Sequence, residues 1–191
     1  AKGWLETAEA ALKGGARVLQ LREKELPGAE LLERARKLRE LCGKYGALCV
    51  VNDRVDVAVA AEVPCVHLGQ ADMPPAGARR CAGAGLLIGR STHSLEEARR
   101  AVVEEGADYI AVGSMYPTGT KDGYQLRGPD LVREVLAASW EAPVFAIGGI
   151  TAERVGELKE AGVKGVAVSS AVIAAPDAER AAAELLSAFG V

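Results

Sequence analysis

Apolar residues in this chain form short continuous runs that alternate with longer segments in which apolar positions recur every three or four residues. The short runs are typical of buried parallel strands, and the longer segments of amphipathic helices. The predicted strands are Arg17–Leu21, Leu48–Val51, Cys65–Leu68, Leu86–Gly89, Tyr109–Val112, Val144–Ile147 and Gly165–Val168. The predicted helices are Leu5–Lys13, Ala29–Lys44, Val55–Ala60, Pro75–Ala82, Leu95–Glu105, Pro129–Ala138, Ala152–Glu160 and Ala178–Phe189.

This alternation predicts an α/β fold, and we expect residues 1–191 to form one (β/α)8 TIM barrel domain. Polar residues and glycines follow nearly every predicted strand, as expected when loops from all round a barrel meet at one mouth. An open, doubly wound sheet is the alternative. Because the pattern begins with a helix and has one helix more than strands, we expect the first barrel strand to be missing from the chain as given.

Composition narrows the class of protein. The chain has 191 residues, with 23 basic and 26 acidic side chains and a net charge of −3. This balance predicts no nucleic-acid partner, and no apolar stretch approaches the roughly 20 residues that span a bilayer, so we expect no membrane partner. The four cysteines lack C-x-x-C spacing. Most lie in apolar segments, which favours reduced thiols and a cytoplasmic location.

The first polar cluster comes at the end of the first predicted strand. Strand alternation sends Gln20, Arg22 and Lys24 to the same side. Arginine and lysine together are suited to a pyrophosphate, since one donates two parallel hydrogen bonds and the other acts as a point charge. A solvated turn before the next helix is the alternative interpretation.

The second cluster follows the next two strands. Asn52 and Asp53 come after one strand, and Asp72 after its neighbour. Magnesium prefers one or two protein carboxylates and takes its other oxygens from water and phosphates. The pair Asp53 and Asp72 is therefore predicted to bind Mg²⁺, although each residue alone is equally well explained as a helix cap.

Ser91 and His93 follow the fourth predicted strand, and both are predicted to face the barrel mouth. The spacing of Ser94 and Glu97 predicts a capping box for the helix that begins there. His67 is predicted to be structural, within the barrel. No G-x-S-x-G sequence is present, which argues against acyl-transfer chemistry.

Two further segments predict phosphate contacts. The loop at residues 113–123 carries Thr118, Thr120 and Lys121, which are suited to phosphate or carboxylate groups of a substrate; a lid without chemistry is the alternative. Glycines at a strand exit let backbone N–H groups approach an anion, and a following helix adds a favourable dipole. This pattern occurs at Gly148 with Gly149, and one unit later at Ser169 with Ser170.

Taken together, these segments resemble the thiamine-phosphate synthase family along nearly the whole chain. The resemblance rests on Q-L-R-E-K, N-D-R, H-L-G-Q-A-D, S-T-H, P-T-G-T-K, A-I-G-G-I and G-V-A-V-S-S-A. It departs from the family pattern at Ser114-Met115-Tyr116, where a proline and a more aliphatic or phenylalanine run is expected.

The resemblance implies a transferase of thiamine biosynthesis on a TIM barrel, with Mg²⁺ as its metal cofactor. Pyrophosphate would leave a hydroxymethylpyrimidine pyrophosphate, a pyrimidine methylene cation would form, and the thiazole phosphate nitrogen would attack it. No general base is needed for that attack, and a homo-oligomer is possible. The residues implied to contact the pyrimidine pyrophosphate are Gln20, Arg22, Lys24, Asn52, Ser91 and Lys121, of which Arg22, Lys24, Ser91 and Lys121 are the predicted catalytic residues.

In the same comparison Asp53 and Asp72 would hold magnesium. The residues implied to hold the thiazole phosphate are Thr118, Thr120, Gly148, Gly149, Ser169 and Ser170.

Two other functions remain open at this point. A thiazole tautomerase shares the barrel and would use His93 as its acid–base residue, without a metal-bound pyrophosphate. A non-catalytic protein that binds a thiazole or thiamine phosphate is the other. The presence of both aspartates together with P-T-G-T-K favours the synthase.

Overall fold

The structure is a computed structural model that describes residues 3–117 and 127–190. Its sheet has seven parallel strands in strictly sequential order. A doubly wound sheet would reverse its strand order at a switch point, so the sequential order excludes that alternative. The strands are β1 (Val18–Leu21), β2 (Leu48–Asn52), β3 (Cys65–Leu68), β4 (Leu87–Thr92), β5 (Tyr109–Val112), β6 (Val144–Ile147) and β7 (Val166–Ala167).

Every predicted helix is present in the described residues. The helices are α1 (Trp4–Lys13), α2 (Gly28–Lys44), α3 (Val55–Ala60), α4 (Pro75–Ala82), α5 (Leu95–Arg99), α6 (Gly128–Ala137), α7 (Ala152–Glu160), α8 (Ser170–Ile173) and α9 (Ala178–Phe189). The short α8 was not predicted. The segment predicted as one helix over Leu95–Glu105 changes from α5 to a π-helical turn at Arg100–Glu104.

Local sequence explains where several helices begin and end. The Ser94 hydroxyl accepts a hydrogen bond from the Glu97 N–H at 3.1 Å, which confirms the predicted cap of α5. The Glu97 carboxylate accepts from the His93 N–H at 2.7 Å. Asp177 caps α9 in the same way, and α9 ends at Gly190, whose φ of 80° is left-handed.

The helices lie on one face of the sheet and leave the other face for the interior of the curl. Apolar side chains of β1 to β4 that point to the helices, such as Val51, Val66 and Ile88, pack with α2, α3 and α4. A second cluster joins β5 to β7 with α6, α7 and α9. Helix α1 packs directly against α9, so the two ends of the helical layer meet. This contact requires a strongly curled, TIM-like sheet.

Strands β1 and β7 stand at the two ends of this sheet and are not paired with each other in the described residues. The structure is therefore an α/β fold with a partly closed barrel. Among the described residues, no helix is both long enough and apolar enough to cross a membrane.

Candidate active site

The carboxyl ends of the parallel strands carry most of the predicted site residues. The register pairs Gln20 with Val50 and Asn52 with His67, and Gly89 and Ser91 follow on the same face of β4. This is the face that points away from the helices. Gln20, Asn52 and Ser91 therefore share the inner face of the curled sheet, as strand alternation predicted.

Asp53 occupies a strained turn directly after β2. Its φ is 62°, in the left-handed region that residues other than glycine rarely adopt. The turn is closed by a 2.7 Å hydrogen bond from the Arg54 N–H to the Asn52 carbonyl. Helix α3 begins after Arg54 without a side-chain cap, so the helix-cap interpretation of Asp53 is wrong. Strain that persists at a strand exit is characteristic of functional positions.

Asp72 lies in the loop after β3, and its carboxylate folds back onto that loop. Oδ2 accepts a 2.7 Å hydrogen bond from the Gly69 N–H. The cap position of α4 is Pro74, which makes no side-chain cap, so Asp72 does not cap this helix either. The structure therefore excludes the helix-cap interpretation for both Asp53 and Asp72.

The structure brings the two aspartates together beside two cations. Burial raises the pKa of Asp53 to about 6, and the hydrogen bond and negative charge of Asp72 add to this effect. Lys24 and Arg22 lower the same pKa through their positive charge. A half-buried pair of carboxylates that repel each other is the electrostatic environment in which a divalent cation is favoured.

Ser91 is 6% exposed and is part of β4, not of the loop after it, because β4 continues to Thr92. Its hydroxyl lies 2.9 Å from His67 Nε2, and His67 Nδ1 lies 3.1 Å from the Tyr109 hydroxyl. The three side chains form a hydrogen-bonded row across the inner face. His67 is thus an interior residue, as predicted, with a polar partner at each ring nitrogen.

His93 follows β4 at the same edge and contacts the start of the next loop. Its Nδ1 lies 2.7 Å from the Gly113 carbonyl oxygen. Since a carbonyl only accepts, Nδ1 carries the proton in this contact. The imidazole therefore ties the end of β4 to the loop after β5.

Gly148 and Gly149 adopt left-handed backbone conformations, with φ of 102° and 62°. A Cβ at Gly148 would lie 2.8 Å from the Ser114 hydroxyl oxygen, and one at Gly149 would lie 2.5 Å from the Pro117 carbonyl oxygen. The Tyr116 N–H donates to the Gly148 carbonyl at 3.0 Å. The two glycines are thus required for close packing against residues 114–117, a role that the sequence analysis did not assign.

A cleft of about 310 Å³ opens beside these glycines. Its lining brings together the predicted residues Gly149 and Ser170 and adds Arg154, the only charged side chain among the described residues that line it. The guanidinium of Arg154 lies 4.5 Å from the centre of the Tyr116 ring and donates to the Gly149 carbonyl at 2.6 Å. The described residues that line the cleft are Pro117, Gly149, Ile150, Thr151, Arg154, Ser170 and Ala171.

The lining of this cleft is chemically suited to an anion. Arg154 is held by its two contacts, and the first turn of α7 begins at the cleft wall after Thr151. Gly148 and Ser169 are not among the lining residues; Ser169 is exposed at the start of α8. Thr118, Thr120 and Lys121 lie outside the described residues.

Sequence reasoning missed three contributors to this region: Arg90, Gln70 and Arg154. Arg90 sits inside β4 and is 3% exposed. Gln70 joins the Asp72 loop to β4, because its side-chain amide donates to the Ser91 carbonyl at 2.6 Å. One feature of the sequence does point to this region: Arg90 is a charged residue directly after the apolar run of β4.

An acidic pair flanked by cations, and an anion cleft at the same edge of a curled parallel sheet, define an enzyme class that handles phosphorylated substrates. The sequence profile of the family described as Thiamine monophosphate synthase matches residues 2–172. The chain belongs to this family. Within the described residues, no group of three or more acidic, histidine or cysteine side chains is arranged to bind a metal.

Similar proteins agree with this assignment. A thiamine-phosphate synthase from Streptomyces avermitilis is 45% identical over 94% of this chain and 83% of its own length. One from Chlorobium luteolum is 45% identical over 96% of this chain and 86% of its own. Among solved structures, a thiamine phosphate pyrophosphorylase from Pyrococcus furiosus superposes with a TM-score of 0.92 and 41% identity, covering 99% of this chain and 90% of that one.

Proposed function

We propose that the protein is a thiamine-phosphate synthase, a transferase that joins hydroxymethylpyrimidine pyrophosphate to thiazole phosphate and releases pyrophosphate. The observation that carries this proposal is the meeting of Asp53 and Asp72 beside Arg22 and Lys24, in a chain of this family. A pyrophosphate leaving group needs that combination, because negative charge builds up on its oxygens as the bond breaks.

We propose Mg²⁺ as the cofactor, held by Asp53 and Asp72. The donor set fits, since Mg²⁺ takes one or two protein carboxylates and completes its shell with water and phosphate oxygens. The raised pKa of Asp53 fits as well, because burial and the neighbouring Asp72 both disfavour its ionised form and a bound cation would offset both effects. When bound, the ion would neutralise charge on the departing pyrophosphate.

The protein's own groups then hold and orient the pyrimidine substrate. Arg22 is suited to two parallel hydrogen bonds to phosphate oxygens, and Lys24 to a single charged contact. Ser91 is fixed by its 2.9 Å contact with His67 and faces the site from within β4. Gln20 and Asn52 complete the inner face around the pyrimidine, and Lys121 is proposed as a third cation on the pyrophosphate.

We propose that the cleft at Gly149 and Ser170 holds the phosphate of the thiazole substrate. The support is its shape, the fixed guanidinium of Arg154 and the start of α7 at its wall. Thr118 and Thr120 are proposed to add hydroxyl donors, with Gly148 and Ser169 shaping the neighbouring backbone. The thiazole nitrogen then approaches the pyrimidine methylene carbon without the help of a general base.

A closed (β/α)8 barrel is also proposed. The ring of helices already meets at α1 and α9, and Val18 of β1 is 47% exposed at the unpaired edge. One more strand between β7 and β1 would cover this edge and pair its backbone groups. We further propose a cytoplasmic location, supported by free cysteines of which three are buried.

His93→Ala separates the synthase from the tautomerase. Because His93 Nδ1 is engaged with the Gly113 carbonyl, we expect the variant to lose less than about tenfold in synthase turnover, against about 100-fold or more for a lost acid–base residue. The measurement is thiamine phosphate formation from both substrates with Mg²⁺, with each substrate omitted in turn. Ser94→Ala, which weakens only the α5 cap, is the control for local destabilisation. Loss of all thiamine phosphate formation in His93→Ala alone would make His93 essential to the reaction and contradict this account, whereas a tautomerase would form no thiamine phosphate even as the wild type.

A further inference from the structure

Arg90 and Glu105 form a buried ion pair next to the loop that carries Asp72 in the proposed metal site. Arg90 of β4 points into the layer between sheet and helices, where its Nε lies 3.4 Å from Glu105 Oε2. Glu105 Oε1 also lies 3.6 Å from Arg100 Nε. Among the described residues, Arg90 Nε and Glu105 Oε2 are buried side-chain atoms without a hydrogen-bond partner. The pair is thus enclosed but incompletely satisfied.

Such a pair is a poor way to stabilise a fold. Removing two charges from water costs several kcal/mol for each ion, and apolar side chains of similar size in their place are often neutral or stabilising. The cost is greater here because Arg90 Nε and Glu105 Oε2 face each other at 3.4 Å, and neither has a hydrogen-bond partner among the described residues. The presence of Arg90 and Glu105 therefore calls for an explanation other than stability.

The contacts of Arg90 supply that explanation. Its Nη1 donates to the Gly69 carbonyl at 2.8 Å and lies 3.4 Å from the Met73 carbonyl oxygen. Gly69 is the first residue of the loop that carries Asp72, and Met73 follows Asp72 directly. Gly69 is also the residue whose N–H holds the Asp72 carboxylate at 2.7 Å. The Arg90 guanidinium thus contacts the loop on both sides of Asp72, whose side chain faces Asp53.

A second connection runs parallel to the first. Arg100 Nη2 donates to Gln70 Oε1 at 2.8 Å, and the Gln70 amide donates to the Ser91 carbonyl at 2.6 Å. The π-helical turn at Arg100–Glu104 brings Arg100 and Glu105 to the same place, since the Glu105 N–H donates to the Arg100 carbonyl. Both connections end on the loop of Asp72.

We infer that Arg90, held by Glu105, is a positioning residue that fixes the Gly69–Met73 loop so that Asp72 and Asp53 can share one divalent cation. Without a cation the two carboxylates repel each other, and a loop without anchors moves Asp72 away. The contacts of Arg90 and Arg100 therefore hold the two carboxylates close together against this repulsion before the cation binds. This inference rests on the proposed magnesium site, but it concerns binding and not turnover.

The test is the double variant Arg90→Leu/Glu105→Leu, which replaces both charges with apolar side chains. Mn²⁺ is the probe, and its dissociation constant is measured without substrates from the electron paramagnetic resonance signal of the free ion. We expect the dissociation constant to rise about tenfold or more, as for other residues that orient metal ligands. We expect the melting temperature of the metal-free protein to be unchanged or higher, which a purely structural role would not give.

The matched control is Arg79→Leu/Asp108→Leu. This pair joins the same layers with a 2.7 Å contact, but it lies at the amino end of β4, where Asp108 accepts from the Ile88 N–H. Its removal is expected to lower stability and to leave Mn²⁺ affinity unchanged.

Unchanged Mn²⁺ affinity in a folded Arg90→Leu/Glu105→Leu protein would overturn the inference, as would wild-type affinity no tighter than that of Asp72→Asn. If the double variant does not fold, Arg90→Lys is the second variant. It keeps the charge but has one ammonium group in place of the guanidinium that faces Glu105 through Nε and donates to Gly69 through Nη1, so the same weakening is expected from it. Weakened Mn²⁺ binding in a protein whose wild type makes no thiamine phosphate would support the inference and refute the proposed function.

Discussion

Asp53→Asn is expected to lower Mg²⁺-dependent turnover by about 100-fold or more, because metal stabilisation of a developing charge is worth several kcal/mol. Asp72→Asn is expected to have a similar effect. Neither substitution removes a helix cap, so both proteins are expected to fold. The measurement is steady-state pyrophosphate release at increasing Mg²⁺ concentrations. Full activity in either variant would remove the metal assignment.

Asp53→Asn is also expected to change how the stability of the protein depends on pH. Folding raises the pKa of Asp53 from 3.8 to about 6, so the folded state holds this proton more tightly than the unfolded state. This difference in pKa contributes to the free energy of unfolding. The contribution is fully present below 3.8, the pKa of Asp53 in the unfolded state, and is lost as the pH rises through about 6. Asp53→Asn has no such ionisation, so its metal-free form is expected to melt no lower than the wild type at pH 8.

The matched control is Asp56→Asn, three residues further along the chain. Asp56 is exposed, and its hydrogen bonds with the Arg54 guanidinium lower its pKa, the opposite direction to Asp53. We expect this variant to keep its turnover and its response to Mg²⁺. Thermal melts at pH 5 and pH 8 in the presence of chelator compare all three proteins.

Gly149→Ala is expected to have the second largest effect, on both the fold and the thiazole end of the site. The new Cβ would lie 2.5 Å from the Pro117 carbonyl oxygen and 2.8 Å from the Tyr116 carbonyl oxygen, and the backbone φ of 62° is unfavourable for alanine. Displacing backbone atoms in a packed region costs about 1–3 kcal/mol. It also moves residues 114–117 away from the cleft.

We therefore expect Gly149→Ala to raise the KM for thiazole phosphate about tenfold or more, with little change in the KM for the pyrimidine pyrophosphate. Steady-state kinetics with each substrate varied in turn, together with urea unfolding, are the measurements. Gly156→Ala in α7 is the control, since its added Cβ has no described residue within 4 Å apart from its own stretch of helix. It should stabilise the protein by about 0.5–1 kcal/mol. If the KM for thiazole phosphate is the same in the wild type and in Gly149→Ala, the thiazole phosphate does not bind in the cleft at Gly149.

The fold was predictable because its strands are short, apolar and buried. Cys65–Leu68 and Tyr109–Val112 were predicted with the bounds that the structure gives them. The end of β4 was missed because Arg90, Ser91 and Thr92 are polar, yet all three are buried. Hydrophobic periodicity carries no information about a strand residue that is buried with a polar partner.

The candidate site was predictable as far as its residues follow strands along the chain. Asp53 and Asp72 come after neighbouring strands, so parallel pairing alone brings them to one edge. Arg154 and Arg90 were missed for a different reason. Arg154 reaches the cleft from the first turn of α7, and Arg90 acts through backbone carbonyls. Contacts made from a neighbouring helix or through backbone carbonyls produce no recognisable spacing of residues in the sequence.

The most direct test of the account is pyrophosphate release from the purified protein with hydroxymethylpyrimidine pyrophosphate, thiazole phosphate and Mg²⁺, measured with and without chelator. We expect release that requires both substrates, stops with chelator and yields one thiamine phosphate per pyrophosphate. Absence of release with both substrates and Mg²⁺, from protein that is folded by thermal melting, would contradict the synthase assignment.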